Sequence, residues 1–296
     1  MRQKLPEWLK RGIINTETTG FTRKILRENN LNTVCESARC PNKNECYSKN
    51  TATFMILGNT CTRNCRFCNV NSGIPDTLNT EEPVLIAEAV KKLGLDYAVI
   101  TSVTRDDLED GGASHFAETI KSVRKINPET RIEVLIPDFQ GNLDALDVVI
   151  NARPDVINHN IETVKNLYPK VRPQASYKQS LELIGHVKSQ NPEIFTKSGI
   201  MAGLGEEYQE IVDTFKDLKN YNCDIVTVGQ YIQPARSHLE VHKYLTPEEF
   251  ELIRLAALDA GIRYAAAAPL VRSSYMAKEC LQELHNQIKK ISGKNY

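Results

Sequence analysis

From residue 53 onward, short apolar segments alternate with longer amphipathic segments. The apolar segments have the length and composition of β-strands and lie at 53–57, 97–103, 131–136, 156–159, 197–202, 225–231 and 264–268. The amphipathic segments predict helices at 83–93, 113–125, 143–151, 177–189, 208–220 and 247–260. Repeated βα units predict an α/β fold with a parallel sheet. The pattern leaves open whether the sheet forms a partial barrel or a doubly wound layer.

Polar residues directly follow the strand-like segments. In both arrangements of the sheet, the carboxyl ends of the strands form the working end. We therefore expect these polar residues to surround one mouth of the fold. Examples are Arg105, Asp107, Asn160, Glu162 and Arg236.

Charge and hydropathy limit the classes of partner. Lysine plus arginine and aspartate plus glutamate each number 37, so the formal net charge is zero. This balance gives no general attraction to nucleic acid or to an anionic membrane, and we expect neither as a partner. No apolar run reaches the ~18 residues of a membrane span, and the first residues lack the apolar stretch of a signal peptide. We therefore expect a cytoplasmic protein.

Three of the eight cysteines, Cys61, Cys65 and Cys68, form a C-x3-C-x2-C triplet directly after the first strand-like segment. Clustered cysteines in a cytoplasmic chain typically bind metal or perform redox chemistry. A four-iron cluster normally takes four cysteines, so three thiolates leave one iron open to a small molecule. Structural zinc is the alternative, but zinc sites usually combine two short Cys or His pairs, and no nearby histidine completes a set.

A second triplet, Cys35, Cys40 and Cys46, has C-x4-C-x5-C spacing. It matches neither the bacterial nor the plant ferredoxin spacing, and it is also one ligand short. Spacing alone favours Cys280 or Cys223 as the fourth ligand. Either residue could equally be a buried structural thiol.

The first triplet resembles the cluster motif of radical S-adenosylmethionine (AdoMet) enzymes. With the second triplet and the segments ATFMILG, VITSVTRDDLEDGGASH, NHNIETV, TKSGIMAGLGE, VTVGQY and RSSY, the chain is similar to the lipoyl synthase family over residues 8–280. The resemblance implies the radical SAM fold, a partial (β/α)6 barrel of TIM type. It further implies an N-terminal extension with the second triplet at 1–52, a core barrel at 53–270 and a C-terminal tail at 271–296.

The same resemblance implies the metal ligands. Cys61, Cys65 and Cys68 would hold the 4Fe–4S cluster that binds AdoMet, and Cys35, Cys40 and Cys46 would hold an auxiliary 4Fe–4S cluster. In the family the fourth auxiliary ligand is the second serine of RSSY, which is Ser274 here, in place of Cys280. A serine alkoxide binds iron less well than a thiolate, so this iron would be the labile one. Arg272 would guide Ser274 or contact substrate.

The resemblance also implies the reaction. Two sulfur atoms are inserted at C6 and C8 of an octanoyl chain that is attached to a lysine of a carrier domain. Two AdoMet molecules are used, and the auxiliary cluster is the source of sulfur. The candidate AdoMet contacts in this chain are Ser102, Arg105, Asp107, Asn160, Glu162 and Lys197.

Three kinds of partner follow from that reaction. The substrate would be an octanoylated carrier domain of a 2-oxoacid dehydrogenase E2 or of a glycine cleavage H protein. The electron would come from a flavodoxin or ferredoxin, and an iron–sulfur carrier protein would rebuild the auxiliary cluster. Two other functions stay open: another radical AdoMet sulfur-inserting enzyme of biotin synthase type, which leaves RSSY unexplained, and a non-enzymatic cluster-binding module, which leaves the polar strand ends unexplained.

Overall fold

A computed structural model describes residues 4–10 and 16–292, with side chains at 4–10 and 19–286. The outer ends of the predicted extension and tail, 1–3 and 293–296, lie outside the described residues. The N-terminal part contains a 3-10 turn at Glu7–Leu9 and three helices, which are α1 (Thr16–Glu28), α2 (Val34–Ser37) and α3 (Lys43–Ser48). The two short helices and the segment between them carry the second cysteine triplet.

The strands follow the predicted positions closely. They are β1 (Thr53–Ile56), β2 (Thr60–Cys61), β3 (Asn71–Ser72), β4 (Tyr97–Ser102), β5 (Arg131–Leu135), β6 (Val156–Asn158), β7 (Phe195–Ala202), β8 (Ile225–Gln230) and β9 (Tyr264–Ala268). Seven of them form one parallel sheet in the order β1-β4-β5-β6-β7-β8-β9. The short β2 and β3 pair with each other.

Helices connect the successive strands of the main sheet. They are α4 (Glu82–Leu93), α5 (Ala113–Ile126), α6 (Leu143–Asn151), α7 (Tyr168–Val171), α8 (Tyr177–Gln190), α9 (Tyr208–Asn220) and α10 (Pro247–Asp259), and α11 (Ala277–Ser292) follows β9. Strand order rises along the chain without the reversal that a doubly wound sheet requires. The sheet is not closed, since β1 and β9 are its edges. The predicted partial barrel is therefore confirmed.

Alternate strand residues face opposite sides of the sheet and pack into different layers. On the outer face, Ile100 and Val134 belong to a core shared with the surrounding helices. Complete burial of one such side chain contributes about 1.5–3 kcal/mol. On the inner face, Leu281 of α11 packs with Tyr97 and Val156, which are the first residues of β4 and β6. Helix α11 thus covers the amino ends of the strands and leaves their carboxyl ends accessible.

Local sequence signals explain several element ends. Helix α10 begins at Pro247, and the side chain of the preceding Thr246 accepts a hydrogen bond from the backbone N–H of Glu249 at 3.3 Å. Helix α4 ends at Gly94, whose φ of 67° is the left-handed conformation that closes many helices. Within the described ranges, no helix combines the length and the apolarity needed to cross a membrane.

Candidate active site

The first cysteine triplet lies at the carboxyl end of the sheet, in the connection that follows β1; we call residues 61–68 the cysteine loop. The chain turns before it at Leu57 and Gly58, with φ values of 69° and 94°. The N–H of Leu57 donates to Glu82 Oε2 at 2.9 Å, and its carbonyl accepts from Arg105 Nη1 at 3.2 Å. These two hydrogen bonds stabilise a left-handed conformation that costs a non-glycine residue roughly 1–2 kcal/mol.

The thiols of the cysteine loop lie close enough for their charges to interact. Cys61 Sγ accepts the backbone N–H of Thr104 at 3.3 Å, which directs it toward the end of β4. Burial, together with negative charge on Cys65 and Cys61, raises the pKa of Cys68 to about 12. Burial also raises the pKa of Cys65. Three thiolates that disfavour one another's charge suit a cationic group that replaces their protons.

Arg63 anchors the cysteine loop to two strand ends. Its guanidinium donates to Asp106 at 2.6 and 2.8 Å and to Asp138 at 2.8 Å twice. Burial opposes ionisation of Asp138, yet the Arg63 charge holds the pKa of this carboxyl below its ordinary value. Sequence analysis did not single out Arg63, because its two partners lie 43 and 75 positions away along the chain.

The thiols of the second triplet are electrostatic neighbours in the same way. Cys35 lies in α2, Cys46 lies in α3, and the N–H of Cys40 donates to the carbonyl of Cys35 at 3.1 Å. Burial raises the pKa of Cys35 to about 11, and the neighbouring Cys40 adds to the effect. Burial raises the pKa of Cys46 to about 12, with further contributions from the other two thiols. This triplet therefore has the same preference for a bound cationic group.

The two triplets are neighbours in space. Asn69, the residue after Cys68, donates through Nδ2 to the carbonyl of Ser37 at 2.8 Å, and Ser37 lies two residues after Cys35. The segment that precedes α2 also pairs with β1, since the N–H of Met55 donates to the carbonyl of Asn32 at 2.9 Å. Both triplets are thus held at one end of the barrel.

The C-terminal tail contacts both the mouth of the barrel and helix α3. Asn160 Nδ2, just beyond β6, donates to Ser273 Oγ at 3.3 Å. Tyr275 donates through its hydroxyl to Glu45 Oε1 of α3 at 3.0 Å. Ser274, the predicted fourth auxiliary ligand, is therefore held between the mouth of the barrel and the helix that carries the last cysteine of the second triplet.

Arg272 lies against the end of β8. Its Nη1 donates to the carbonyl of Val271 at 2.6 Å. A Cβ at Gly229 would lie 2.0 Å from the Val271 oxygen and 3.0 Å from Arg272 Nη1, so the tail crosses β8 where only glycine leaves room. The role of Arg272 in guiding Ser274 stays a prediction.

Two of the predicted AdoMet contacts have unsatisfied atoms at the mouth. Ser102 Oγ and Asn160 Oδ1 are buried and have no hydrogen-bond partner among the described residues. Asn160 also donates through Nδ2 to Glu162 Oε1 at 3.1 Å, and Glu162 is held at a φ of 67°. Buried polar atoms without partners are rare, and a polar ligand at the mouth would satisfy these two.

Three other predicted contacts are engaged with protein partners. Arg105 Nη2 pairs with Asp107 Oδ2 at 2.8 Å. Lys197 lies in the amino-terminal half of β7, is 1% exposed, and pairs through Nζ with Glu133 Oε1 at 2.9 Å. Here the structure corrects the expectation that Lys197 faces the mouth, because strand alternation directs it to the inner face near the amino ends.

Arg172, which sequence analysis did not single out, lies at the mouth beside the first triplet. Its Nη1 donates to the carbonyl of Asn160 at 2.9 Å, and its side chain hydrogen-bonds the thiol of Cys65. Burial opposes its charge, but Tyr168, Glu162 and Cys65 raise the pKa of Arg172. Its Nε is buried and unpartnered within the described part of the chain. The strand pattern gave no signal for this residue, because it follows a short helix.

The two remaining cysteines lie away from both triplets. Cys223 donates through Sγ to the carbonyl of Ile225, the first residue of β8, at 3.3 Å. Cys280 of α11 hydrogen-bonds Tyr264, the first residue of β9. Both thiols therefore lie at amino ends of strands, and neither fits the fourth ligand position that spacing favoured. In the part of the chain that the structure describes, no three Cys, His, Asp or Glu side chains converge on a single metal ion.

Comparison with known proteins agrees with this arrangement. The profile of the Radical SAM superfamily matches residues 55–218. The chain is 51% identical to a lipoyl synthase of Alkaliphilus metalliredigens over 97% of this chain and 99% of that protein. It is 52% identical to a lipoyl synthase of Caldanaerobacter subterraneus over 94% of this chain and 97% of that protein. The chain belongs to the lipoyl synthase family.

The fold of this lipoyl synthase family member is similar to that of methylornithine synthase, with a TM-score of 0.54 at 13% identity over 93% of this chain and 89% of that one. That likeness concerns the fold alone. The family uses AdoMet and 4Fe–4S clusters, and the residues present fit both groups. Two triplets of neighbouring thiols suit the clusters, and the unpartnered atoms of Ser102, Asn160 and Arg172 suit a polar cofactor at the mouth.

Proposed function

We propose that this member of the lipoyl synthase family inserts sulfur at C6 and C8 of an octanoyl chain on a carrier-domain lysine. In this proposal Cys61, Cys65 and Cys68 hold the cluster that binds AdoMet, and Cys35, Cys40, Cys46 and Ser274 hold the auxiliary cluster. The observation that carries it is the position of the tail. Ser273 contacts the mouth and Tyr275 contacts α3, and these two contacts support Ser274 as the ligand that the second triplet lacks.

The side chains around the two triplets have separate tasks. When bound, the clusters and AdoMet supply a 5′-deoxyadenosyl radical and the sulfur atoms. Arg63 keeps the cysteine loop against the ends of β4 and β5. Arg172 places positive charge beside Cys65 and fixes the backbone of Asn160. Partial burial of the thiols limits the access of water to the ligand atoms.

Partners follow from the same proposal. The substrate is an octanoylated carrier domain, of the 2-oxoacid dehydrogenase E2 type or the glycine cleavage H protein type. A flavodoxin or ferredoxin supplies the electron, and an iron–sulfur carrier protein restores the auxiliary cluster. Free thiols throughout the described chain support action in the reducing cytoplasm.

A peptide assay tests the reaction. The reconstituted protein is incubated with AdoMet, dithionite and an octanoyl-lysine peptide, and we expect 5′-deoxyadenosine together with a peptide that has gained two sulfur atoms. Cleavage of AdoMet without a change in peptide mass would favour another radical AdoMet enzyme. Stoichiometric zinc without acid-labile sulfide in the purified protein would refute the cluster assignment.

The hydrogen bond of Tyr275 to Glu45 predicts a selective defect in the Tyr275→Phe variant. A hydrogen bond to a charged group is worth about 1.5–3 kcal/mol, so loss of this bond frees the tail and lowers the rate of sulfur insertion about tenfold or more. AdoMet cleavage, measured as 5′-deoxyadenosine, stays close to wild type. Tyr208→Phe, at an exposed tyrosine of α9, is the matched control. Equal loss of both activities would contradict a role limited to the tail.

The position of Arg172 predicts weaker cofactor binding in the Arg172→Gln variant. The substitution removes a charge-assisted hydrogen bond to the Asn160 backbone and the cation beside Cys65, so we expect the Kd for AdoMet to rise about tenfold or more. Equilibrium binding of AdoMet to the oxidised, reconstituted protein measures it. Arg254→Gln, at a half-buried arginine of α10 that pairs with Glu251, should leave the Kd unchanged. An unchanged Kd in Arg172→Gln would show that Arg172 does not contribute to AdoMet binding.

A further inference from the structure

Three exposed cations lie on the outer surface beside the cysteine loop. They are Arg66, Lys170 and Arg236, and we call them the basic surface. None of the three pairs with a carboxylate of the described residues, whereas many other surface lysines and arginines do. Cations left unpaired and close together produce a local positive potential that the neutral net charge conceals.

Backbone hydrogen bonds bring two other segments to Arg66. Its N–H donates to the carbonyl of Val171 at 3.1 Å, which places the adjacent Lys170 nearby. Its carbonyl accepts from the N–H of Leu239 at 3.2 Å, three residues after Arg236. In segments 64–69, 170–174 and 235–240, the only carboxylate is that of Glu240. The surface is therefore basic as a whole.

The basic surface lies over a packed apolar cluster. Phe67 of the cysteine loop contacts a cluster that contains Val171 and Leu239, so the segments that carry the cations rest on shared apolar side chains. His238 donates through Nε2 to the carbonyl of Cys68 at 2.9 Å. A surface held in this way is preorganised for docking, because few side chains must be ordered on contact.

The basic surface covers the ligands of the AdoMet-binding cluster from outside. Arg66 follows Cys65 directly, and its side chain is exposed, whereas the Cys65 thiol contacts Arg172 at the mouth. In the proposed function, AdoMet and the octanoyl chain occupy the mouth and the space between the triplets. A protein electron donor can therefore approach this cluster from the outer surface.

We propose that the basic surface docks an acidic one-electron carrier protein of the flavodoxin or ferredoxin class. The proposal rests on the proposed function. One electron leaves the reduced flavin or iron–sulfur centre of the donor, which is oxidised by one electron. The cluster held by Cys61, Cys65 and Cys68 is reduced by one electron, and no proton or leaving group moves. Opposite charges accelerate this encounter and make it sensitive to salt.

The test compares two reductants on the full-length reconstituted protein. The double variant Arg66→Glu/Lys170→Glu should form 5′-deoxyadenosine at the wild-type rate with dithionite. With a reduced flavodoxin as the probe at low ionic strength, its rate should fall about tenfold or more, because charge steering contributes factors of about 10 to 1,000. Added salt should slow the wild-type reaction with flavodoxin far more than that of the variant.

A second variant and a control test whether the loss of rate with flavodoxin is specific to the basic surface. Arg236→Glu changes a segment without cysteines and should produce the same selective defect at smaller size. Lys91→Glu reverses an exposed, unpaired lysine of α4 and should behave as wild type with both reductants.

Three outcomes would overturn the docking proposal: an equal loss with dithionite and flavodoxin, an unchanged rate with flavodoxin, or a raised KM for the octanoyl carrier with dithionite as reductant. The last would assign the surface to the carrier. Failure of wild-type protein to insert sulfur with dithionite would instead count against the proposed function. The comparison of reductants follows AdoMet cleavage and still decides the docking surface in that case.

Discussion

Replacement of Cys35 by alanine is expected to abolish sulfur insertion while AdoMet cleavage persists. Cys35 belongs to the second triplet, whose thiols interact with one another separately from the cysteine loop, and contacts such as Asn69 to Ser37 link the two triplets. Loss of one of three thiolates leaves the auxiliary cluster with too few ligands. The first triplet keeps all of its thiols and its Arg63 anchor.

Two measurements check this prediction. Iron and acid-labile sulfide should fall from about eight of each per chain to about four of each, the content of one four-iron cluster. The peptide assay should show 5′-deoxyadenosine without sulfur in the product. Cys223→Ala removes a buried thiol far from both triplets and should retain both activities. Loss of AdoMet cleavage together with sulfur insertion in Cys35→Ala would contradict the separation of the two sites.

Replacement of Lys197 by methionine is expected to cost about 3–5 kcal/mol of unfolding free energy. Lys197 and Glu133 are each 1% exposed, and their charges pair inside the barrel at 2.9 Å. Tyr97 and Asn158 also donate to Glu133, at 2.7 and 3.2 Å, but neither supplies a positive charge. Without Lys197 the carboxylate is buried and uncompensated, which is more costly than the absence of the whole pair.

The double variant Lys197→Met/Glu133→Gln provides the decisive comparison. It removes both charges and keeps an acceptor for Tyr97, so we expect it to recover most of the stability. The urea midpoint followed by circular dichroism measures each variant. Lys178→Met breaks an exposed pair with Glu182 and should change stability by less than about 0.5 kcal/mol. A loss in Lys197→Met no larger than that of the control would show that water reaches Glu133.

The position of Lys197 shows where inference from sequence stops. The residue was expected at the mouth, as a candidate AdoMet contact at a strand end. Hydrophobic periodicity locates a strand, but it does not say which depth of a barrel a given strand residue occupies. Strand β7 begins two residues earlier at Phe195 and pairs with β6 from there, so Lys197 lies opposite Asn158 and faces inward.

Arg63 and Arg172 show a second limit. Both arginines organise the first triplet, and neither belongs to a motif that spacing alone could interpret. Each acquires its role from partners in other elements: Asp138 beyond β5 for Arg63, and the Asn160 backbone beyond β6 for Arg172. A pairing of this kind exists only after the strands have assembled, so local patterns carry no signal of it.

The amino-acid sequence by itself determined the alternation of strands and helices, the parallel arrangement of the sheet and the two sets of three thiols. These properties depend on hydrophobic periodicity and cysteine spacing, which act over a few neighbouring residues. Only the tertiary structure decided that the barrel stays open, that Lys197 neutralises Glu133 in its interior and that Ser274 lies between Asn160 and Glu45. The physical reason is that these contacts join residues far apart along the chain, and their geometry is set by how complete elements pack.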